Sequence, residues 1–214
     1  MNKEKVSLII SGGEYADITY ECLEADYVIA CDRGLDYADR YGVIPDEVIG
    51  DFDSVSDFNK EKIKKCEIRN TVYPSEKDDT DTMLAMKRVL ELGFKDIRMI
   101  CAFGNRMDHA YANIQTAHYG AKKGAVVRIH DVDTEAVVFS NRSVRIPKKE
   151  GYGLSVFSLT DRCKGVDISG TKYELKDGEL SNSFPLGQSN EFLADHAEIS
   201  VSSGVIMLVL CKIG

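Results

Sequence analysis

Glu47-Val48-Ile49-Gly50-Asp51-Phe52-Asp53-Ser54 is an apolar run that stops at a glycine followed by two acids, two residues apart. Read as a strand, it sends the Asp51 and Asp53 side chains off one face near the carboxyl end. Two carboxylates so placed repel each other unless a cation lies between them. A hard, oxygen-preferring ion such as Mg²⁺ suits them, since it is commonly held by one or two carboxylates plus substrate phosphates. Solvated loop acids are the competing reading of this segment taken alone.

The neighbouring sequence decides the architecture. Val6–Ser11, Tyr27–Cys31, Glu47–Ile49, Glu67–Val72 and Ile97–Cys101 are short apolar runs expected to form buried strands. Helical patterns lie between them. Thr80–Leu92 gathers Met83, Leu84, Met86, Val89 and Leu90 on an apolar face, and Asp108–Lys122 is rich in Ala and ends near Gly124. Alternating strands and helices require crossover connections and a mostly parallel sheet. From about Ala125 the texture changes to strand-like runs separated by Gly, Asp, Asn and Ser, namely Ala125–Ile129, Thr134–Phe139, Leu154–Leu159, Lys164–Ile168, Glu198–Val201 and Val205–Lys212. The expectation is an α/β domain over residues 1–125 followed by an all-β sandwich or barrel over 126–214.

Composition narrows the function. The chain has 214 residues, 43% of them hydrophobic, enough for sizeable cores, and a formal net charge of -8. An acidic chain is a poor partner for nucleic acid or an anionic membrane, which are gripped by Lys and Arg. No apolar stretch approaches the roughly 18 to 20 residues that cross a bilayer. Six scattered cysteines without a Cys-x-x-Cys pair, and an N-terminus unlike a signal peptide, lead to the expectation of a cytoplasmic protein. The four histidines show no metal-ligand spacing, which argues against zinc.

In an open parallel sheet, ligands bind beyond the carboxyl ends of the strands. The segments there are Ser11-Gly12-Gly13, Asp32-Arg33-Gly34, Gly50–Ser54, Pro74–Asp81 and Gly104–His109, each carrying a glycine, an acid or both. Turn chemistry alone favours such residues; together they describe a cleft of carboxylates, an arginine and backbone amides. Ser11-Gly12-Gly13 is either a phosphate cradle at a helix start or a simple tight turn. Asp78 and Asp81 have the spacing of a helix cap and its third residue, which explains that segment without a ligand. Arg106 beside Gly104 can fork two donors onto a phosphate or stand in solvent. Asp108 is expected to cap the last helix, and His109 to be a hydrogen-bonded first-turn residue rather than a catalyst.

Asp32-x-Gly34, Gly50-Asp51-Phe52-Asp53-Ser54, Lys77-Asp78-x-Thr80-Asp81, Gly104-Asn105-Arg106-Met107-Asp108-His109 with Ala112-Asn113, and Gly187-Gln188-Ser189-Asn190-Glu191-Phe192 occur in this order. The combination resembles the thiamine pyrophosphokinase (thiamine diphosphokinase) family in its bacterial form, over nearly the whole chain. The resemblance implies Mg²⁺-dependent transfer of the diphosphoryl group of ATP to the thiamine hydroxyl, giving thiamine diphosphate and AMP. It further implies an ATP- and Mg²⁺-binding α/β domain, a thiamine-binding β-sandwich, and a homodimer with active sites at the subunit interface.

Carried onto this chain, the resemblance gives Asp51, Asp53 and Asp81 to Mg²⁺ and catalysis together with Arg106. Asp32, Gly34, Ser54, Lys77, Asp78, Thr82, Arg106, Asp108 and His109 fall to the nucleotide, and Asn113, Ser189 and Asn190 to thiamine. One departure stands out: Asn105 occupies the place of a second glycine that the family commonly has before the arginine, and Asn tolerates left-handed backbone well. The alternatives are a diphosphokinase for another heterocyclic alcohol such as a pterin, and a non-catalytic module that binds thiamine or nucleotide.

Overall fold

A computed structural model describes residues 4–50, 68–72 and 78–213. Of the candidate site residues, Asp51, Asp53, Ser54 and Lys77 lie outside the described residues. The chain divides into two compact units, one of Met1–Gly120 with Val127–Val132, the other of Ala121–Val126 with Asp133–Gly214.

The first unit is built on β1 (Val6–Ile10), β2 (Tyr27–Cys31), β3 (Glu47–Gly50), β4 (Arg69–Val72), β5 (Asp96–Ile100) and β6 (Val126–His130), in the spatial order β6-β5-β1-β2-β3-β4. The pairs β1/β2, β1/β5, β2/β3 and β3/β4 are all parallel. Every residue of β1 is buried, as a central parallel strand covered on both faces requires. Leu8, Ile10, Val28 and Ile100 share a core cluster with Tyr37 and Ala38 of α1 (Gly34–Tyr41), and Ala30 and Val48 share another with Leu35. The five runs expected as parallel strands are strands, and the two expected helices are α2 (Asp81–Glu91) and α3 (Met107–Lys122).

Strand order reverses at β1: β2, β3 and β4 lie to one side and β5 to the other. Such a switch point opens a crevice at the carboxyl ends of the two strands that flank it. Here the chain leaving β1 stays tied to the chain leaving β5, with Ser11 N–H donating to Ile100 O (3.0 Å) and Gly13 N–H to Cys101 O (2.9 Å).

The second unit comprises β7 (Thr134–Ser140), β8 (Ser143–Pro147), β9 (Tyr152–Ser158), β10 (Arg162–Ser169), β11 (Leu175–Ser181), β12 (Gly187–Asn190), β13 (His196–Ser200) and β14 (Val205–Lys212). They form two antiparallel layers, β12-β9-β14-β7 and β11-β10-β13-β8. Phe139, Leu154, Val156 and Leu208 of the first layer share one core with Val166, Ile168, Leu180 and Ile199 of the second, the arrangement of a sandwich. The expected α/β domain followed by a β-sandwich is therefore the fold. Strands β8, β11 and β12 were not anticipated from sequence. All three are edge strands. β11 and β12 are polar and contain Gly, so backbone pairing to a neighbour makes them strands, whereas β8 does alternate, with Val144 and Ile146 packed on the core, in a run of only five residues.

Candidate functional site

A cleft of about 440 Å³ lies at the switch point of the first unit, walled by the ends of β1 and β2 and the beginnings of α2 and α3. Its lining includes Asp32, Asp81, Thr82, His109 and Asn113 from the sequence candidates, and also Ser11, Arg33, Asp79 and Thr80.

Each wall has a local cause. After β1 no long helix begins; the chain runs as a loop to a single 3₁₀ turn at Tyr20–Cys22. The phosphate-cradle reading of Ser11-Gly12-Gly13 is thereby corrected: there is no helix start behind it, and the N–H groups of Ser11 and Gly13 are already spent on the β5 exit. The segment must still be small, because a Cβ on Gly13 would sit 2.4 Å from Cys101 O. Tyr37 of α1 donates its hydroxyl to Gly13 O (2.7 Å), and Tyr41 donates to Ala16 O, so α1 fastens this loop from below.

At the end of β2, Asp32 turns the chain with a left-handed φ of 44°, a conformation Asp tolerates better than most side chains. Its N–H donates to Ile49 O (3.0 Å), and its carbonyl accepts from Leu35 N–H (3.0 Å). Gly34 starts α1 so close to β1 that a Cβ there would lie 2.2 Å from Ile10 O. A Cβ on Gly50 would lie 1.7 Å from Asp32 Oδ1. The glycines at both places thus make room for backbone or for the Asp32 carboxylate.

Helix α2 is capped by Thr80, whose Oγ1 accepts from Met83 N–H (3.1 Å). The expected cap at Asp78 is corrected. Asp78 is exposed, and Asp81 is the first helical residue, presented to the cleft at the positive end of the helix dipole. Thr82 is buried, its hydroxyl 3.3 Å from that of Ser11. Asp79 is paired with Lys87 at 2.6 Å, and this bond raises the lysine's pKa.

Helix α3 begins at Met107, so Asp108 sits in its first turn rather than capping it. Asp108 accepts from Arg106 Nε (3.0 Å) and Nη2 (2.5 Å), which holds its carboxyl well below the usual range. The pair is exposed and does not line the cleft. Asn113, buried on the cleft wall, donates to Ala102 O (2.6 Å). Asn105 does not use the left-handed backbone; the positive φ, 145°, falls on Gly104, and Asn105 instead donates through Nδ2 to Glu14.

In the second unit, Ser189 is exposed and holds a positive φ of 60°, its N–H donating to Ser155 Oγ (3.1 Å). Asn190 is buried and fully engaged. Its Oδ1 accepts from Tyr173 N–H and Glu191 N–H (both 2.9 Å), while Nδ2 donates to Thr171 Oγ1 (3.1 Å) and Tyr173 O (2.8 Å). It pins the Thr171–Tyr173 segment to β12.

Sequence reading passed over Arg33 and Asp79 as site residues. Both stand beside glycines, caps or acids that turn chemistry already explains, and only their place on the cleft wall separates them from surface charges. Among the described residues, no group of three or more His, Cys, Asp or Glu is placed to hold a metal ion.

Known proteins carry the same design. Residues 19–129 match the family model described as thiamin pyrophosphokinase, catalytic domain, and residues 141–206 match thiamin pyrophosphokinase, vitamin B1 binding domain. The thiamine pyrophosphokinase of Bacillus subtilis (strain 168) is 28% identical over 205 residues, 94% of this chain and 96% of that protein. Its crystal structure superposes with a TM-score of 0.86 at 26% identity, covering 97% of this chain and 99% of the other. Yeast thiamin pyrophosphokinase, 14% identical, shares the fold at a TM-score of 0.76 over 99% of this chain and 87% of the other. With one family domain matched across the unit that bears the acidic cleft and the other across the β-sandwich, the chain belongs to the thiamin pyrophosphokinase family.

Proposed function

We propose that this protein is a thiamine diphosphokinase that transfers the diphosphoryl group of ATP to the thiamine hydroxyl, releasing AMP. The observation that carries the reading is the match of both family domains, in order, to a chain whose acidic cleft stands at the switch point of the α/β unit. Among the residues that line the cleft, Asp32 and Asp81 supply carboxylate oxygens, the donor type that suits Mg²⁺. Asp51, Asp53 and Asp81 would hold the ion, which when bound neutralises charge on the phosphate oxygens.

In the proposed reaction the thiamine oxygen attacks the β-phosphorus. A new O–P bond forms as the hydroxyl gives up its proton to solvent, the bond from the β-phosphorus to the oxygen bridging it to the α-phosphorus breaks, and AMP departs with that oxygen. The α/β unit binds and orients the nucleotide, and the β-sandwich binds thiamine, with Ser189 as a contact and Asn190 fixing the shape of its segment. The cytoplasm is the proposed compartment; no helix among the described residues is long and apolar enough to cross a membrane.

Purified protein incubated with ATP, Mg²⁺ and thiamine should yield thiamine diphosphate and AMP in equal amounts by chromatography, and neither in EDTA or without thiamine. Product with a hydroxymethyl pterin and none with thiamine would replace the acceptor. Asp53→Asn should remove turnover while leaving the circular dichroism spectrum intact; near-normal activity would take Asp53 out of the metal site.

A further inference from the structure

Three carboxylates, Asp32, Asp79 and Asp81, line the cleft, and among the described residues on its wall Arg33 alone carries a permanent positive charge. A nucleoside triphosphate entering this space brings several more negative charges, so the placement of the cation matters. Arg106, the arginine singled out from sequence, lies off the cleft wall and is paired with Asp108.

The backbone that launches Arg33 is held on both sides. Asp32 N–H is tied to Ile49 O at the exit of β3, and Gly34 abuts Ile10 O at the exit of β1. The left-handed Asp32 between these anchors is a conformation that persists where its surroundings over-determine it, as they do at functional sites. The guanidinium carbon lies 5.6 Å from the centre of the Tyr37 ring, and that ring is itself locked by its hydroxyl to Gly13 O (2.7 Å). Arg33 therefore lines the cleft from a fixed base, its guanidinium within reach of a fixed aromatic ring.

We propose that Arg33 binds the polyphosphate of the nucleotide, its planar fork of donors engaging phosphate oxygens. The inference rests on the function proposed above and adds a residue to it.

The test is calorimetric binding of ATP and of AMP, each with Mg²⁺, to wild type, Arg33→Met and Arg33→Lys, alongside steady-state kinetics. Arg33→Met should weaken ATP binding roughly 10- to 100-fold, the worth of a charge-assisted hydrogen bond. AMP binding should change less, the thiamine KM should stay put, and Arg33→Lys should recover part of the loss. ATP affinity within about twofold of wild type would overturn the proposal. Equal losses for ATP and AMP, or equal rises in both KM values with a lowered melting temperature, would also overturn it, since they would mark Arg33 as a prop for the loop. If wild type forms no thiamine diphosphate, the proposed function fails, yet the binding measurements still decide the role of Arg33.

Discussion

Gly34 and Gly50 flank the same Asp32 but meet different obstacles. A methyl on Gly34 would run into the backbone carbonyl of Ile10, whereas one on Gly50 would run into the carboxylate of Asp32, at a φ of 158° that strains any side chain. Gly34→Ala should therefore cost about 1–3 kcal/mol by overpacking, visible in urea unfolding. Gly50→Ala should destabilise as well and in addition lower kcat, through a displaced Asp32. An unchanged kcat in Gly50→Ala would refute this account of the motif. In the β-sandwich, Ser189→Ala isolates the proposed thiamine contact. It should raise the thiamine KM with the ATP KM and melting temperature unchanged, and a rise in both KM values would contradict it. Asn190→Ala cannot serve, because it strips four hydrogen bonds from the sandwich itself.

Helix α2 is fastened far from its cleft end. Glu47, 1% exposed at the start of β3, accepts from Arg88 of α2 (2.9 Å), Tyr27 of β2 (2.9 Å) and Thr71 of β4 (2.8 Å), and Arg69 lies 3.6 Å away. One carboxylate thereby joins three strands to the helix that presents Asp81. Burial pushes the Glu47 carboxyl up, but hydrogen bonds from Arg88, Thr71 and Tyr27 outweigh it and the net pKa is lowered. Because the folded value lies below the unfolded one, this stabilisation is present above the unfolded pKa and is lost as pH falls through the folded value. Arg88→Ala, which leaves the buried charge short of its main partner, should destabilise by about 3 kcal/mol in urea at neutral pH. Glu47→Gln should flatten the acid limb of the melting-temperature curve below the ordinary carboxylate pKa. An unchanged acid limb would mean that Glu47 does not govern it.

For the molecule as a whole, the open question is assembly. The β-sandwich leaves Tyr173, Phe184, Leu186 and Leu193 between 57% and 73% exposed, and the family resemblance implies a homodimer. If that expectation holds, light scattering should give twice the 23.8 kDa chain mass, and a monomer at micromolar concentration would remove it.

Much of this architecture is legible in the chain before folding. Apolar runs such as Val6–Ile10 and Val205–Lys212, and the periodic faces of α2 and α3, carry their own burial pattern, so their element types follow from local chemistry. The ordered motifs at the strand ends likewise announced an acidic cleft and the family. Long-range placement lay beyond such reading. Polar β11 and β12 are strands because a neighbour offers a ladder to pair with, and Thr80 rather than Asp78 is the cap because the helix starts two residues later, at Asp81. The cation that faces the cleft is Arg33 and not Arg106, because Gly34 and Ile49 O fix the β2 exit while Asp108 draws Arg106 away. Side-chain type and spacing are written along the chain, but which charges share one space is set by contacts between residues far apart in it.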